Sequence, residues 1–106
     1  MDSLRGKTLL WTFADGPVAG QRFEHTFYAD GSVMWRIVDG PGQGASAREK
    51  RYATMQVADD VYTVSYLAAS GHTLTVTLNF STGRMVAFAS NNSEWYPLTG
   101  TFEVAQ

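Results

Sequence analysis

The chain has 106 residues, no cysteine and a formal net charge of −2 at neutral pH. A chain of this length corresponds to one domain, so we expect residues 1–106 to fold as a single unit. The lack of cysteine excludes disulfides, thiolate nucleophiles and zinc–thiolate sites. The scattered basic residues offer no cationic stripe for nucleic acid or for a membrane surface, and the N-terminus carries no apolar signal segment, so we expect a cytoplasmic protein.

Glycine-bearing turns separate short runs of alternating apolar and polar residues along the chain, which predicts an antiparallel meander. The first two predicted strands are Lys7–Phe13 and Gln21–Tyr28. Their alternation directs one set of side chains to the interior: Leu9, Trp11, Phe13, Phe23, His25 and Phe27.

The third predicted strand, Ser32–Asp39, is ambiguous in phase. One phase turns Val33, Trp35 and Ile37 inward, and the other turns Met34, Arg36 and Val38 inward. The glycine-rich loop Gly40–Ser46 follows and suits a flap at the mouth of a barrel.

The next strand, Ala47–Val57, places Glu49, Arg51, Ala53, Met55 and Val57 on one face. No segment has the length and period of a stable helix, so the helical content is limited to one turn near Gly42–Arg48.

The remaining predicted strands are Val61–Leu67, Thr73–Phe80, Arg84–Ala89 and Thr99–Val104. Their predicted interior residues are Tyr62, Val64, Tyr66, Leu74, Val76, Leu78, Phe80, Val86, Phe88, Phe102 and Val104. A meander of about eight strands hides its edges by closing, so we expect an all-β, up-and-down antiparallel barrel whose interior can hold a small ligand.

The sequence contains no phosphate-binding glycine loop, no GxSxG motif and no HExxH motif, and its two histidines are His25 and His72. We therefore expect neither a metal nor a cofactor. The remaining candidates are a few polar residues within an aromatic-rich interior, as in small-molecule sites. The polar residues are His25, Arg36, Glu49, Arg51, Tyr62 and Tyr66, with Trp11, Phe13, Phe23, Trp35 and Phe88 as walls.

Each candidate also has a purely structural interpretation. His25 can be a core histidine that one hydrogen bond satisfies, and the aromatic residues can simply fill the barrel. Glu49 and Arg51 can form a solvated rim, since they belong to the charged run Arg48–Arg51.

Five segments of the chain carry a resemblance to known proteins: Gly6–Trp11, Phe23–Phe27, Asp30–Arg36, Val61–Tyr66 and Leu78–Phe80. Together they resemble the MoaF-like family of small lipocalin-type (calycin) domains and, more distantly, the bacterial phenolic acid decarboxylases. The resemblance implies that Arg36 faces the cavity and that Glu49 takes the place of an acidic residue on the next strand. The tyrosine pair with which the decarboxylases hold the substrate carboxylate is replaced here by Trp11 and Phe13.

We therefore expect the barrel to bind a planar or aromatic organic anion. In this hypothesis Arg36 pairs with the anion, His25 and Glu49 supply hydrogen bonds, and Trp11, Phe13, Trp35, Tyr62, Tyr66 and Phe88 contact the rest. One alternative is a cofactor-independent lyase or isomerase that acts on a small aromatic acid, with Glu49 or His25 as general acid or base. A second alternative is a packed barrel that acts through homodimerisation, with Leu10, Val61 and Leu67 on the dimer face.

Overall fold

The computed structural model describes residues 4–105, and within this range the chain forms nine β-strands and one short 3-10 helix. The strands are β1 (Thr8–Phe13), β2 (Arg22–Phe27), β3 (Val33–Asp39), β4 (Ser46–Glu49), β5 (Tyr52–Ala58), β6 (Val61–Leu67), β7 (Thr73–Asn79), β8 (Arg84–Ser90) and β9 (Trp95–Val104). The helix is Gly16–Val18, and across residues 4–105 no helix is long and apolar enough to span a bilayer. The predicted domain limits, residues 1 and 106, lie outside the described range.

All nine strands belong to one antiparallel sheet in the order β4-β3-β2-β1-β9-β8-β7-β6-β5. The two edge strands, β4 and β5, are separated in sequence only by Lys50 and Arg51. Because neighbouring strands alternate in direction, the two edge strands of a nine-stranded sheet point the same way. The chain therefore passes from the edge strand β4 to the edge strand β5 without reversing its direction. The sheet is curled, so that its two edges come together at Lys50 and Arg51.

The predicted closed barrel of eight strands is therefore wrong in two respects. The described residues form nine strands, and no ladder joins β4 to β5, so the barrel is open. The predicted strand Ala47–Val57 is divided at Lys50 and Arg51, where its first part pairs with β3 and its second part with β6. Beside this gap, a single backbone hydrogen bond joins β5 to the turn between β2 and β3: the Tyr52 amide donates to the Gly31 carbonyl over 3.0 Å.

The division also shifts the alternation by one residue. Glu49 is buried, but the next side chain turned inward is that of Tyr52 and not that of Arg51, which is exposed. Ala53, Met55 and Val57, predicted to share the face of Glu49, are likewise exposed. The two-residue link therefore acts as a bulge, which moves a side chain to the opposite face.

The predicted phases of β1, β2, β6 and β7 are confirmed. Their inward residues form most of the core, together with Leu98 and Phe102 of β9. The buried members from these four strands are Leu9, Trp11, Phe13, His25, Phe27, Tyr62, Val64, Tyr66, Val76 and Leu78.

The inward orientation of Arg36 that the family resemblance implied is wrong. Val33 and Ile37 of β3 are buried, and Arg36 points outward, where it donates to Glu24 over 2.9 Å. A guanidinium inside this apolar core would require a buried counter-charge, whereas on the outer face the Glu24 carboxylate and water both solvate it.

The predicted phase of β8 is also wrong. Met85 and Ala87 are buried, whereas Val86 and Phe88 lie on the outer face. Both faces of β8 are apolar, so alternation cannot assign its interior side. The pairing with β7 does, because it places Met85 opposite Leu78 and Ala87 opposite Val76.

Two boundaries differ from the prediction. The last strand begins at Trp95 rather than Thr99, and Val104 at its end is 49% exposed. The turn expected near Gly42–Arg48 contains no helix, since β4 already begins at Ser46.

Gly100 of β9 provides a test of this register. A Cβ atom at this position would overlap the carbonyl oxygen of Thr12 in β1 and approach the Met85 side chain of β8 to 2.9 Å. We expect Gly100→Ala to lower the free energy of unfolding by about 1–3 kcal/mol, because the ladders on both sides leave no room for a shift. Urea unfolding measures the effect, with Thr101→Ala at the exposed neighbouring position as the control. An unchanged midpoint for Gly100→Ala would contradict the register.

Candidate functional site

A histidine and a tyrosine meet in the centre of the curled sheet. His25 of β2 and Tyr66 of β6 are both buried, and the His25 Nε2 and Tyr66 Oη atoms lie 2.8 Å apart. Trp11 of β1 stacks on the His25 ring with a centroid separation of 3.7 Å. Because β2 and β6 are distant in the strand order, this contact joins opposite walls of the barrel.

Burial keeps this pair neutral. It lowers the pKa of His25 from 6.5 to about 3, since the imidazolium would lose its hydration without gaining a counter-charge. Burial also raises the pKa of the Tyr66 hydroxyl, and the negative charge of Glu49 adds to this effect. The centre of the barrel is therefore uncharged at neutral pH.

Two polar atoms beside this pair lack hydrogen-bond partners within residues 4–105. They are His25 Nδ1 and Trp11 Nε1, and both side chains are fully buried. Buried polar atoms are normally paired, so these two mark a position where the core could accept a further hydrogen-bonding group.

Among residues 4–105, Glu49 carries the one buried carboxylate, with 4% of its surface exposed. Its Oε2 accepts from Trp35 Nε1 over 2.9 Å, and its Oε1 accepts from the Ala69 amide over 3.1 Å. Trp35 lies on β3 and Ala69 lies in the turn between β6 and β7. The carboxylate thus connects the two edges of the open barrel.

Two concavities flank the place where β4 passes into β5, and we refer to them together as the crossing cleft. One has a volume of about 490 Å³ and is lined by Lys50, Arg51, Tyr52, Ala53, Ser65, Tyr66, Leu67 and Thr73. The other has a volume of about 410 Å³ and is lined by Arg48, Glu49, Lys50, Leu67, Ala68, Ala69 and Gly71. They share Lys50 and Leu67, so an ammonium group and an apolar side chain stand at their common border.

The structure brings some of the predicted site residues together. Trp11, His25 and Tyr66 form the central cluster, and Trp35 is hydrogen-bonded to Glu49. Of these, Glu49 and Tyr66 also line the crossing cleft.

The other predicted site residues lie apart from this group. Phe13 packs edge-on against Phe23, and Tyr62 packs edge-on against Phe80. Arg36 and Phe88 are on the outer face, so neither can line the interior.

Sequence reasoning missed Lys50, Tyr52 and Leu67 as cleft residues. The signal that could have located the cleft is the charged run Arg48–Arg51, since three cations in four positions are unusual between two strands of a closed sheet. Within residues 4–105, no group of three or more metal-ligating side chains is placed to hold a metal ion.

The comparisons with known proteins agree with the fold. A family model described as MoaF-like matches residues 6–103. A crystal structure from Burkholderia vietnamiensis, described as that of a candidate β-lactamase, is similar to the chain with a TM-score of 0.83 and 21% identity over 99% of each chain. At this level of identity the likeness concerns the fold alone. No protein of curated function matches the sequence.

Substitution of Glu49 tests its role as the connection between the edges. In Glu49→Gln one of the two N–H donors faces an amide NH₂ group that cannot accept, so we expect a loss of about 1–3 kcal/mol in the free energy of unfolding. The matched control is Glu24→Gln, which removes a partly exposed ion pair and should cost less than about 1 kcal/mol. Equal losses in urea unfolding would contradict the role of Glu49.

The depressed pKa of His25 predicts a specific loss of stability in mild acid. Between about pH 6.5 and pH 3 the unfolded chain binds a proton at this residue and the folded chain does not. The contribution of neutral His25 to the free energy of unfolding is therefore complete above pH 6.5 and declines as the pH falls. From pH 7 to pH 5 we expect a loss of about 2 kcal/mol in the free energy of unfolding.

Denaturant titrations at both pH values measure this loss, with His25→Gln and the exposed His72→Gln as a matched pair. The slope should disappear in the first variant and persist in the second. The carboxyl groups of Asp15 and Asp30 do not interfere between pH 7 and pH 5, because their ordinary pKa of 3.8 already lies below this range and hydrogen bonds from Thr99 and Ser32 lower the pKa further in the folded chain. A slope that survives in His25→Gln would assign the effect to other groups.

Proposed function

The chain belongs to the MoaF-like family, and we propose that it binds a small planar organic acid in the crossing cleft. The observation that carries the proposal is the convergence of Lys50 and Arg51 with apolar surface from Tyr52 and Leu67 in one concavity. Concavities that combine apolar walls with a few placed polar groups are typical of small-molecule sites. In this proposal the anion pairs with these two cations and not with Arg36. The ligand lies at the open side of the barrel and not at its centre.

Charge supports an anionic ligand on the Lys50 and Arg51 side. Neither side chain has an ion-pair partner among the described residues, whereas Arg48 donates to Asp30 over 3.1 Å and to Ser32 over 2.8 Å. Arginine binds a carboxylate through two parallel hydrogen bonds, and lysine adds a point charge. A carboxylate in the cleft would supply the missing counter-charge.

Glu49 favours a ligand with a hydrogen-bond donor at its other end. The carboxylate lines the second concavity, and it repels an anion but accepts from a hydroxyl group. An aromatic acid that carries a phenolic hydroxyl combines both features, with its ring against Leu67. In this proposal the small organic molecule would be held at the opening between β4 and β5.

The second candidate is the lyase or isomerase, and it rests on Glu49, a carboxylate that lines a cleft. Both of its oxygens already accept hydrogen bonds from Trp35 and Ala69. His25, with a pKa of about 3, is a weak base at neutral pH, and a general base works best with a pKa near the working pH. These properties support binding over catalysis.

Calorimetric titration with 4-hydroxycinnamate tests the proposal. We expect the double variant Lys50→Ala/Arg51→Ala to bind about 30-fold more weakly than the unaltered protein, because each of the two charge-assisted contacts at an exposed site contributes on the order of 1 kcal/mol. Arg36→Ala is the matched control, since it removes a cation from the outer face. The methyl ester of the probe, which has no anionic group, should bind as weakly to the unaltered protein as the acid binds to the double variant.

Two outcomes would count against binding as the function. Equal affinities of the double variant and Arg36→Ala would show that the cleft cations do not hold the anion. A loss of the ultraviolet absorbance of 4-hydroxycinnamate that depends on the protein and disappears in Glu49→Gln would favour the lyase.

A further inference from the structure

The strand β5 has one free edge. Among residues 4–105 it pairs with β6 on one side, and no strand lies on its other side. The Tyr52 amide donates to the Gly31 carbonyl and not to β6, so Tyr52 and Tyr66 form a pair of the ladder without hydrogen bonds. Main-chain groups alternate in direction along an antiparallel strand, so those of Thr54 and Gln56 also point away from β6. Their N–H and C=O groups are therefore available to a further strand.

The free edge lacks the residues that normally protect an exposed strand. Edge strands commonly carry charged residues, especially lysine, or proline. β5 contains neither. Its outward side chains are Ala53, Met55 and Val57, and Met55 is 71% exposed and Val57 63% exposed. An exposed, apolar edge strand of this kind is a template for pairing with another chain.

The charges at the two ends of β5 are opposite. Lys50 and Arg51 precede the strand, and Asp59 and Asp60 follow it. The two aspartates have no ion-pair partner among residues 4–105. If a second β5 strand lay antiparallel to the first, the acidic end of each strand would lie beside the basic end of the other. Such complementarity favours a second copy of the same strand over an uncharged partner.

We propose that β5 pairs with β5 of a second copy of this chain, antiparallel and about a two-fold axis at Met55. In this register Thr54 lies opposite Gln56 of the second copy, and the two residues exchange both main-chain hydrogen bonds. The two Met55 side chains meet at the axis, and Ala53 lies opposite Val57 of the second copy. Pairing at an edge continues the sheet from one barrel into the next, so it requires no flat face on either copy.

Two polar side chains support this register. Thr54 Oγ1 is buried and has no hydrogen-bond partner among residues 4–105. The side-chain amide of Gln56 donates one N–H to the Ala58 carbonyl over 3.2 Å, which leaves its second N–H for another acceptor. Directly opposed residues have Cβ atoms about 5 Å apart on the same face, so Gln56 of the second copy can donate to Thr54. The pairing would satisfy a buried hydroxyl that a single copy leaves unpaired.

The concavity beside the basic end of β5 has room for the acidic turn of the second copy. The register directs Asp59 of the second copy toward Arg51. The concavity there has a volume of about 420 Å³ and is lined by Arg5, Gly31, Tyr52, Ala53 and Thr54. Arg5 adds a further cation to this end, so the turn of the second copy would enter a positively charged environment.

The paired segment is short. Gly31 occupies the position beside Tyr52, and β5 has a bulge between Gln56 and Ala58, so the new ladder is limited to residues 53–57. Small interfaces belong to weak and transient complexes. We therefore expect a dissociation constant on the order of 10 μM for the dimer.

Sedimentation velocity over a range from about 1 μM to about 500 μM, which brackets the expected dissociation constant, tests the proposal. The mass of the unaltered protein should rise with concentration from the monomer mass of 11.7 kDa to twice that value. A protein that remains monomeric over the whole range would overturn the proposal.

Thr54→Pro removes an N–H group of the proposed ladder. Proline is tolerated in an edge strand where its nitrogen faces away from the sheet, so this variant should fold. Its dimer should dissociate with a constant at least about tenfold higher, since each copy loses one hydrogen bond and gains a steric clash. The matched control is Ser46→Pro in the other edge strand, β4. The Ile37 amide donates to the Ala45 carbonyl, so the main-chain groups of Ser46 also point away from the sheet, and this variant should still form dimers.

Met55→Lys acts on the side chains and leaves the main chain intact. It places two ammonium groups opposite each other at the axis, which should raise the dissociation constant at least about tenfold. Val86→Lys introduces the same charge at an exposed position of β8 and should leave the dimer unchanged. Circular dichroism and the thermal midpoint establish that each variant is folded. Dimers that persist in both β5 variants, or equal losses in the variants and their controls, would overturn the pairing.

The dimer and the crossing cleft can fail separately. Met55 lines neither concavity of the cleft, so the affinity of Met55→Lys for 4-hydroxycinnamate reports on the ligand site alone. A monomer that binds the acid refutes only the dimer, and a dimer that does not bind it refutes only the ligand site.

Discussion

The buried carboxylate of Glu49 is the interaction on which the shape of this protein depends. Nine strands leave two edges that run in the same direction, and an antiparallel ladder cannot join them. Glu49 connects them with two hydrogen bonds, one to Trp35 beside β4 and one to the turn that follows β6. Hydrogen bonds to a charged acceptor contribute about 1.5–3 kcal/mol each, a considerable share of the 5–15 kcal/mol that stabilises a typical domain.

Three cations lie next to this carboxylate in the sequence. Arg48, Lys50 and Arg51 flank Glu49 in the sequence, but the carboxylate itself is held by the N–H groups of Trp35 and Ala69 and not by an ion pair among residues 4–105. Arg48 is held by Asp30, which leaves the other two cations directed to solvent at the cleft. Lys50 and Arg51 therefore place two cations without an ion-pair partner among residues 4–105 at the opening of the barrel, where an anion would enter.

Alternation alone predicts most of this fold. It places the interior of β1, β2, β6 and β7 correctly because one face of each of these strands is more apolar than the other. It fails at β8, where both faces are apolar. It also fails at Lys50 and Arg51, where a two-residue link shifts the alternation although it contains no glycine or proline that would indicate a break in the strand. The positions of His25 and Glu49 follow from the pattern, but the contact between His25 and Tyr66 depends on how far the sheet curls, which no local pattern contains. The resemblance to a family with an inward arginine misplaced Arg36, because its partner Glu24 lies on the outer face of the neighbouring strand.

The two-residue link between β4 and β5 has a consequence for sequence variation. All eight strand ladders are formed without this link, and β4 and β5 each pair on one side only. An insertion here would let the edges separate and widen the opening while every ladder keeps its register. The length of this segment is thus a single variable through which evolution can adjust the size of an accepted molecule and leave the rest of the domain unchanged.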